Sequence, residues 1–188
     1  MAQNPPPTPL LFDRALLVRR QLRATALGAE TFLFDRVVED MNDRLAAVKR
    51  QFEAAADIWT PGEGLQPDLR QRLPSLARLA PPDSGAEVLP LANASLDLVL
   101  SALALQFVND LPGVLAQIRR ALKPDGLLLA AMIGGDTLTE LRQSFAAAEA
   151  ECEGGVSPRV APFADLRDIG GLLQRAGLVQ TWPDLARA

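Results

Sequence analysis

The chain has 188 residues, of which 48% are hydrophobic and 22% are charged, and its formal net charge is −4. This length and composition fit one globular domain with a buried core. The acidic balance argues against nucleic acid as a partner, because binding phosphate needs a clustered excess of Lys and Arg. The sequence has no His and no Tyr. Zinc hydrolases and Ser-His-Asp hydrolases are therefore excluded, and we predict no metal site.

Residues 1–10 and the single cysteine bear on the predicted cellular location. Residues 1–10 contain Pro5, Pro6 and Pro7 and predict a disordered or extended leader, because proline cannot donate a backbone hydrogen bond. They lack the basic head and apolar core of a secretory signal, and no stretch of the sequence is long and apolar enough to span a membrane. Cys152 has no partner for an internal disulfide. We therefore expect a protein of a reducing compartment, the cytoplasm.

Two helices are predicted before the main domain. The first is the basic stretch Phe12–Arg23, whose arginines either form a solvated helix face or dock a substrate or partner. The second runs over Thr31–Phe52, where apolar residues recur every three or four positions, as in an amphipathic helix that packs on a sheet. The predicted organisation is a helical extension over residues 11–52, followed by one α/β domain over residues 53–188.

The next predicted elements are strand, helix and strand. Leu96–Leu105 is an almost unbroken apolar run, typical of a strand covered on both faces in a parallel sheet. Asn109 or Asp110 caps the helix that follows, and Pro112 fits its first turn. A turn then leads into the apolar run Leu127–Met132. A right-handed crossover makes the two strands parallel, so the predicted fold class is α/β, with a doubly wound, mostly parallel sheet.

Two further helices are predicted towards the C-terminus. Thr137 and Glu140 have the spacing of a capping box for a helix that runs towards Glu153. A last helix is predicted over Asp165–Ala176, and the apolar pair at 178–179 can begin another strand.

The chain resembles class I methyltransferases where Gly126 stands within LKPDG, after an amphipathic helix and a strand ending in Ser101. It resembles more narrowly the family of methyltransferase-like complex I assembly factors of bacteria and mitochondria. The strings that carry this resemblance are LFDRALLVRR, FVNDLPGVLAQIRRALKPDG, IGGDTLTELRQSF and EGGVSPRVAPFADLRDIGGLLQRAGL. The resemblance covers Gly85–Gly177 and Phe12–Phe52 and is poor in between. It implies a Rossmann-like fold, S-adenosylmethionine as cofactor, and a subunit of respiratory complex I as protein substrate.

The segment that should hold the methyl donor departs from this family. The family's acidic residue and Gly-rich turn correspond to Asp57 and the residues after it, where Trp59 and Glu63 stand at glycine positions. Gly62 and Gly64 are either a shifted remnant of the donor turn or an ordinary loop. Asp57, Gly62 and Gly64 are candidate cofactor-binding residues.

The remaining candidate contacts follow the same resemblance. Between residues 65 and 87 we predict no apolar strand that ends in an acidic residue, so the carboxylate that binds the donor's ribose is expected to be absent. On the adenine side, Gly85 stands where an Asp is common. Ala86, Glu87 and Ser101 are the further candidate cofactor contacts.

Gln106 and Phe107 stand in the substrate-side loop, where the family often has His and Trp. Gln106 can orient a polar substrate group by hydrogen bonding, but it cannot act as a base near neutral pH. Phe107 is expected either to face the substrate or to pack inside the protein. The catalytic residue is not identified by the sequence.

Three functions are compatible with these residues. The first is a methyltransferase that acts by proximity and in-line orientation, which needs no His. The second is a non-catalytic assembly or interaction protein that has lost the cofactor site, because Trp59, Glu63 and Gly85 coincide with a missing strand. The third is a truncated or frameshifted relative that scarcely folds alone, because the sequence changes character at residues 54–82 and 180–188. Under all three, the divergence from the family at Gln180 predicts that the fold's last antiparallel strand is missing, which leaves an open strand edge.

Overall fold

The structure is a computed structural model that describes residues 10–62, 65, 67–82 and 86–178. It divides into two compact units, one within Met1–Ala131 and one within Met132–Ala188. The predicted division into a leader, a helical extension over residues 11–52 and an α/β domain over residues 53–188 stays a prediction. The elements in chain order are α1 (Arg14–Ala26), α2 (Phe32–Ala47), β1 (Ala55–Ile58), α3 (Pro67–Arg72), β2 (Leu76–Leu79), β3 (Leu96–Ala102), a 3₁₀ turn (Leu105–Phe107), α4 (Leu111–Ala121), β4 (Leu122–Ala131), α5 (Thr139–Cys152) and α6 (Leu166–Arg175).

The four strands form one sheet in the order β2-β1-β3-β4. All three neighbouring pairs are parallel, and Ala55 of β1 lies opposite both Leu76 of β2 and Leu98 of β3. All seven residues of β3 are buried, as a strand covered on both faces requires. The prediction of a doubly wound, parallel α/β sheet is confirmed.

Helices α2 and α4 each bury apolar side chains. The stripe of α2 is buried through Val38, Met41 and Leu45 and belongs to the same core cluster as Leu98 and Leu100 of β3. The buried side chains of α4 are Val114, Leu115, Ile118 and Ala121. Both helices therefore bury one amphipathic face, as their sequence periodicity predicts.

The start of α4 is set by Asp110 and not by Asn109. The side chain of Asp110 accepts a hydrogen bond from the backbone N–H of Gly113 at 2.9 Å, which satisfies a donor of the first turn. Pro112 lies in that turn, where its missing N–H costs nothing.

Two strands differ from the sequence prediction. β2 forms at Leu76–Leu79 where no strand was predicted; only its first and last residues are half-buried, so its apolar signal is weak. β4 begins at Leu122, before the predicted start at Leu127. Its register shifts, because Leu96 pairs with Leu122 and Leu98 pairs with Leu127. The predicted turn is thus an irregularity inside the strand.

The second unit holds α5 and α6. The predicted capping box at Thr137 and Glu140 is wrong, because the N-cap of α5 is Leu138, with φ of +58° and no side-chain cap. Asp165 caps α6 by accepting from the N–H of Arg167 at 2.8 Å. A further strand was predicted to begin with the pair at 178–179; Leu178 is in no strand, and Val179 lies outside the described residues. Among the helices that the structure describes, none has the length and apolar character to cross a membrane.

Candidate functional site

The turn after β1 has a backbone conformation that most residues avoid. Trp59 follows the strand with φ of +62°, in the left-handed region that favours glycine. This conformation costs a residue with a side chain about 1–2 kcal/mol. The indole is nevertheless buried, with 4% of the residue exposed. The backbone thus keeps the shape of a glycine turn, while the side chain fills the space that a glycine would leave open.

Polar side chains of β3 and of the turn fasten the end of β1. Ser101 is fully buried, and its hydroxyl donates to the carbonyl of Ile58 at 2.9 Å. The hydroxyl oxygen of Thr60 accepts from the N–H of Ala102 at 3.1 Å. Asp57 is buried within β1, with 1% exposed. Asp57 and Ser101 therefore lie on neighbouring strands near the same edge, and the hydroxyl of Ser101 is engaged by backbone.

Gly62 lies in the same turn and is exposed to solvent. Its φ is +66°, and nothing lies within 4 Å of the position that a Cβ would take. Arg78 of β2 donates to the carbonyl of Gly62 and, at 3.1 Å, to that of Thr60. Glu63 and Gly64 lie outside the described residues, so their part in donor binding stays a prediction.

The carboxylate of Glu87 accepts three hydrogen bonds. Its Oε1 accepts from Arg14 Nη2 at 2.9 Å and from the N–H of Asn109 at 2.8 Å. Its Oε2 accepts from the N–H of Asp110 at 2.7 Å. The side chains of Arg14 and Glu87 are only 9% and 4% exposed. A buried charge is tolerated when it is paired and hydrogen-bonded, and Glu87 meets both conditions.

Residues 12–14, here called the N-terminal segment, lie against this edge of the sheet. The side chain of Asn109 accepts from the N–H of Phe12 at 2.8 Å and donates to its carbonyl at 3.1 Å. The rings of Phe12 and Phe107 meet edge to face, with centroids 5.7 Å apart. The guanidinium of Arg14 lies 5.1 Å from the ring centroid of Trp59, within the range of a cation–π interaction.

The predicted adenine-side turn is held by Gln117 of α4. Its Oε1 accepts from the N–H of Leu89 at 2.8 Å, and its Nε2 donates to the carbonyl of Glu87 at 3.0 Å. Ala86 is exposed, and Gly85 lies outside the described residues. The loop therefore presents its backbone to α4.

The substrate-side residues are engaged by their own surroundings. Gln106 is 6% exposed and donates to the carbonyl of Leu103 at 2.8 Å. Its Oε1 has no hydrogen-bond partner among the described residues. Phe107 packs on Phe12, which agrees with the packing interpretation and leaves its contact with a substrate a prediction.

The described residues at this edge do not fit a bound methyl donor. Trp59 fills the glycine position, and both oxygens of Glu87 are already bonded. β2 runs into Ala80 and Pro81, which offer no carboxylate to a ribose. Within the described ranges, no cluster of His, Cys, Asp or Glu is suited to a metal ion.

Sequence reasoning missed the roles of Phe12, Arg14 and Asn109. The local signal for α1 is present, since Asp13 caps the helix by accepting from the N–H of Leu16 at 2.9 Å. The partner of Arg14, however, is 73 positions away, and no local pattern connects the two.

Comparison with known proteins gives two groups of relatives. A family model described as a methyltransferase domain matches residues 68–130. The mitochondrial arginine-hydroxylase NDUFAF5 of Rattus norvegicus is 39% identical over 193 residues, covering 89% of this chain and 55% of the relative. A malonyl-[acyl-carrier protein] O-methyltransferase of Xylella fastidiosa (strain M23) is 33% identical over 170 residues, covering 86% and 56%. The chain spans about half the length of the curated relatives it matches.

A solved structure supports the same fold. A Bacillus halodurans C-125 protein assigned as a methyltransferase matches with a TM-score of 0.50 at 17% identity, over 74% of this chain and 65% of that one. The chain therefore has the fold of class I methyltransferases and is similar, over most of its own length, to the NDUFAF5 proteins.

Proposed function

We propose that this chain is a methyltransferase-fold assembly factor that binds a protein subunit of respiratory complex I without transferring a methyl group. The observation that carries the proposal is the cluster of Trp59, Arg14 and Glu87 at the end of β1. This cluster lies after β1, where the family resemblance predicts the donor turn.

The energetics of the ion pair support a closed donor site. A donor could enter only if the guanidinium of Arg14 moved away from Glu87. Breaking a buried pair leaves an uncompensated charge and typically costs about 3–5 kcal/mol. Glu87 also holds the two amides that precede α4, so the carboxylate itself cannot turn towards a ribose or an adenine without further loss.

The proposed partner follows from the relatives. The NDUFAF5 relatives are named as arginine-hydroxylases, which act on a side chain and so support a protein partner for this chain. The exposed, free thiol of Cys152 is compatible with a reducing compartment, and we retain the cytoplasm as the proposed location.

Calorimetric titration with S-adenosylmethionine and S-adenosylhomocysteine tests the closed donor site. We expect no heat and no thermal shift at millimolar ligand for the native chain. The double variant Trp59→Gly with Glu63→Gly removes both substitutions in the turn and is the informative comparison. Binding by the double variant alone assigns the loss to the turn, whereas tight binding by the native chain contradicts the proposal.

Copurification with complex I subunits tests the partner. The chain should retain a subunit equally well with and without S-adenosylhomocysteine, because the donor site takes no part in binding. An interaction that requires the donor would favour catalysis instead.

A second candidate function is methyl transfer itself. It is favoured by Gly62, whose left-handed φ and open surroundings are those of a glycine in a donor turn. The similarity to malonyl-[acyl-carrier protein] O-methyltransferases suggests an acyl-carrier-bound carboxylate as acceptor. Transfer of a labelled methyl group to malonyl-loaded carrier protein distinguishes this candidate, since the assembly factor should leave the carrier unlabelled.

A further inference from the structure

A cavity of about 760 Å³ opens at the amino end of β1, the end of the strand opposite Trp59. It lies between the end of α2, the segment that precedes β1, and α3. Parallel strands are joined by a crossover that is usually a helix packed on the sheet, but α3 has only six residues and is therefore about 9 Å long. The cavity, here called the amino-edge cavity, is the space that so short a helix leaves beside α2.

The polarity of the amino-edge cavity changes with depth. Its floor is apolar, is buried or half-buried, and is formed by Leu45, Val48, Phe52, Leu69 and Leu73. Its rim is exposed and consists of Arg50, Gln51, Glu53, Arg72, Pro74 and Ser75. Water over an apolar floor finds few hydrogen-bond partners, so an apolar group that displaces it gains binding free energy. The floor therefore suits a hydrocarbon chain, and the rim suits a polar head group.

The charges of the rim select the sign of that head group. The rim has two arginines and one acidic residue, Glu53, so it is positive although the whole chain carries −4. Arg50 pairs with Asp125 of β4 at 3.6 Å. Arg72 donates through Nη1 to the amide oxygen of Asn42 at 3.0 Å and forms no ion pair among the described residues. Because arginine binds a carboxylate through charge-assisted, often paired hydrogen bonds, Arg72 is the group that can bind an anionic head.

We propose that the amino-edge cavity binds the anion of a long-chain fatty acid, with the hydrocarbon chain on the apolar floor and the carboxylate at Arg72. The volume lies within the range of small-molecule sites in proteins, roughly 300–1,000 Å³. The site is separate from the edge at Trp59 and does not rest on the proposed function. Binding fills space beside Leu69 and Leu73, and it stabilises the fold because the ligand binds only the folded chain.

Isothermal titration calorimetry of the native chain with sodium dodecanoate, below the concentration at which it forms micelles, tests the site. We expect saturable binding of a single dodecanoate per chain and a higher melting temperature with the ligand. Butyrate keeps the carboxylate but loses most of the hydrocarbon chain, and dodecyltrimethylammonium keeps the hydrocarbon chain but reverses the charge. Each should bind at least about tenfold more weakly. The absence of saturable heat with dodecanoate, or equally tight binding of either control, overturns the proposal.

Arg72→Gln tests the head-group contact, because it removes the charge and leaves an amide in its place. Dodecanoate should bind this variant at least about tenfold more weakly than the native chain. Arg36→Gln is the matched control, since it removes an arginine of α2 whose side chain is 77% exposed and lies outside the cavity. The control should bind dodecanoate as the native chain does. Equal weakening by the two substitutions would assign the effect to overall charge and overturn the proposal.

Val48→Phe tests the floor of the cavity. Val48 is half-buried after the end of α2, so the larger side chain occupies space that the hydrocarbon chain needs. Dodecanoate should bind this variant at least about tenfold more weakly. Val156→Phe makes the same change at a residue that is 63% exposed and should bind as the native chain does. If the Val48→Phe protein, folded by circular dichroism, binds dodecanoate as tightly as the native chain, the proposal is overturned.

Hydrogen exchange on the native chain locates the ligand without any substitution. The N–H of Leu73 donates to the carbonyl of Leu69 at 3.0 Å, and the N–H of Leu76 donates to the carbonyl of Leu73 at 3.0 Å. Dodecanoate should slow exchange at these two amides more than at the N–H of Val114 in α4, because it suppresses local opening of the short crossover. Equal slowing at all three amides, or no slowing, overturns the proposal.

Discussion

The two described crossovers of the sheet, β3–α4–β4 and β1–α3–β2, each join neighbouring parallel strands, yet they are built very differently. In the first, a strand of seven buried residues leads into a capped helix of eleven residues. In the second, strands of four residues flank a helix of six. The long crossover is specified by its own sequence, whereas the short one is held in place by its neighbours.

Asp97 shows how β3 holds the short crossover. Its Oδ2 accepts from the N–H groups of Ala54 at 3.0 Å and Glu53 at 3.2 Å, just before β1. Its Oδ1 pairs with Lys123 of β4 at 3.0 Å. At the opposite edge, Ser101 donates to the carbonyl of Ile58 at the end of β1, and Arg78 donates to the carbonyl of Thr60 in the turn that follows. β1 thus takes its position from hydrogen bonds at both ends as well as from its side chains.

The largest effect is expected at the carboxyl edge of β1. Glu87→Gln removes the charge opposite the buried Arg14, and we expect a loss of about 3–5 kcal/mol in the free energy of unfolding. Glu39→Gln is the control, because it breaks an exposed pair with Arg36 whose side chains are 77% and 60% exposed. That change should cost less than about 1 kcal/mol. Urea unfolding measures both, and equal losses would contradict the importance assigned to Glu87.

Core truncation compares the two crossovers directly. Ile118 of α4 is fully buried and Leu69 of α3 is 1% exposed. Ile118→Ala should cost about 3–4 kcal/mol, and Leu69→Ala about 2 kcal/mol, because the cost of a cavity falls where the surroundings can collapse. Leu22→Ala, at a residue 66% exposed, is the control and should change stability little. If urea unfolding shows that Leu69→Ala loses more free energy of unfolding than Ile118→Ala, the contrast drawn between the two crossovers is wrong.

Substitution of Trp59 separates the strain of the turn from the packing of the indole. Trp59→Gly and Trp59→Ala lose the same buried ring, but only glycine relieves the left-handed backbone. The Gly variant should therefore be more stable than the Ala variant by about 1 kcal/mol. Thermal and urea unfolding of both variants measure this difference. The reverse order would show that the turn relaxes its φ once the indole is gone.

The smallest effect is a pH dependence at Asp97. Its pKa lies below the ordinary value of 3.8, chiefly because of the hydrogen bond from Lys123, with further lowering by the backbone N–H groups of Ala54 and Glu53. A depressed pKa contributes stability above the unfolded-state value, and this contribution is lost as the pH falls through the folded-state pKa. Stability measured by urea unfolding should decline below about pH 4, and Asp97→Asn should flatten that decline. The same slope in Asp97→Asn as in the native chain would exclude Asp97 as its source.

Much of the sheet and its helices is predictable from the sequence, for reasons that differ between elements. The run at Leu96 and the stripe of α4 each repeat with the period of the element that they form. β2 escaped prediction because its middle residues, Ala77 and Arg78, are exposed, and only pairing with β1 makes it a strand. The start of α5 was missed because Leu138 adopts a left-handed backbone conformation that is not expected of a leucine.

The candidate site also has residues that the sequence predicts and residues that it does not. The family resemblance identified Trp59 at a glycine position of the donor turn and Glu87 as a candidate contact on the adenine side. Only the tertiary structure showed that Arg14 joins them, since side chains 73 positions apart are brought together by the sheet and not by any local period. The sequence by itself therefore determined the fold class, through local hydrophobic periodicity. The tertiary structure decided what fills the carboxyl edge of β1, because long-range ion pairs and hydrogen bonds depend on which strands become neighbours.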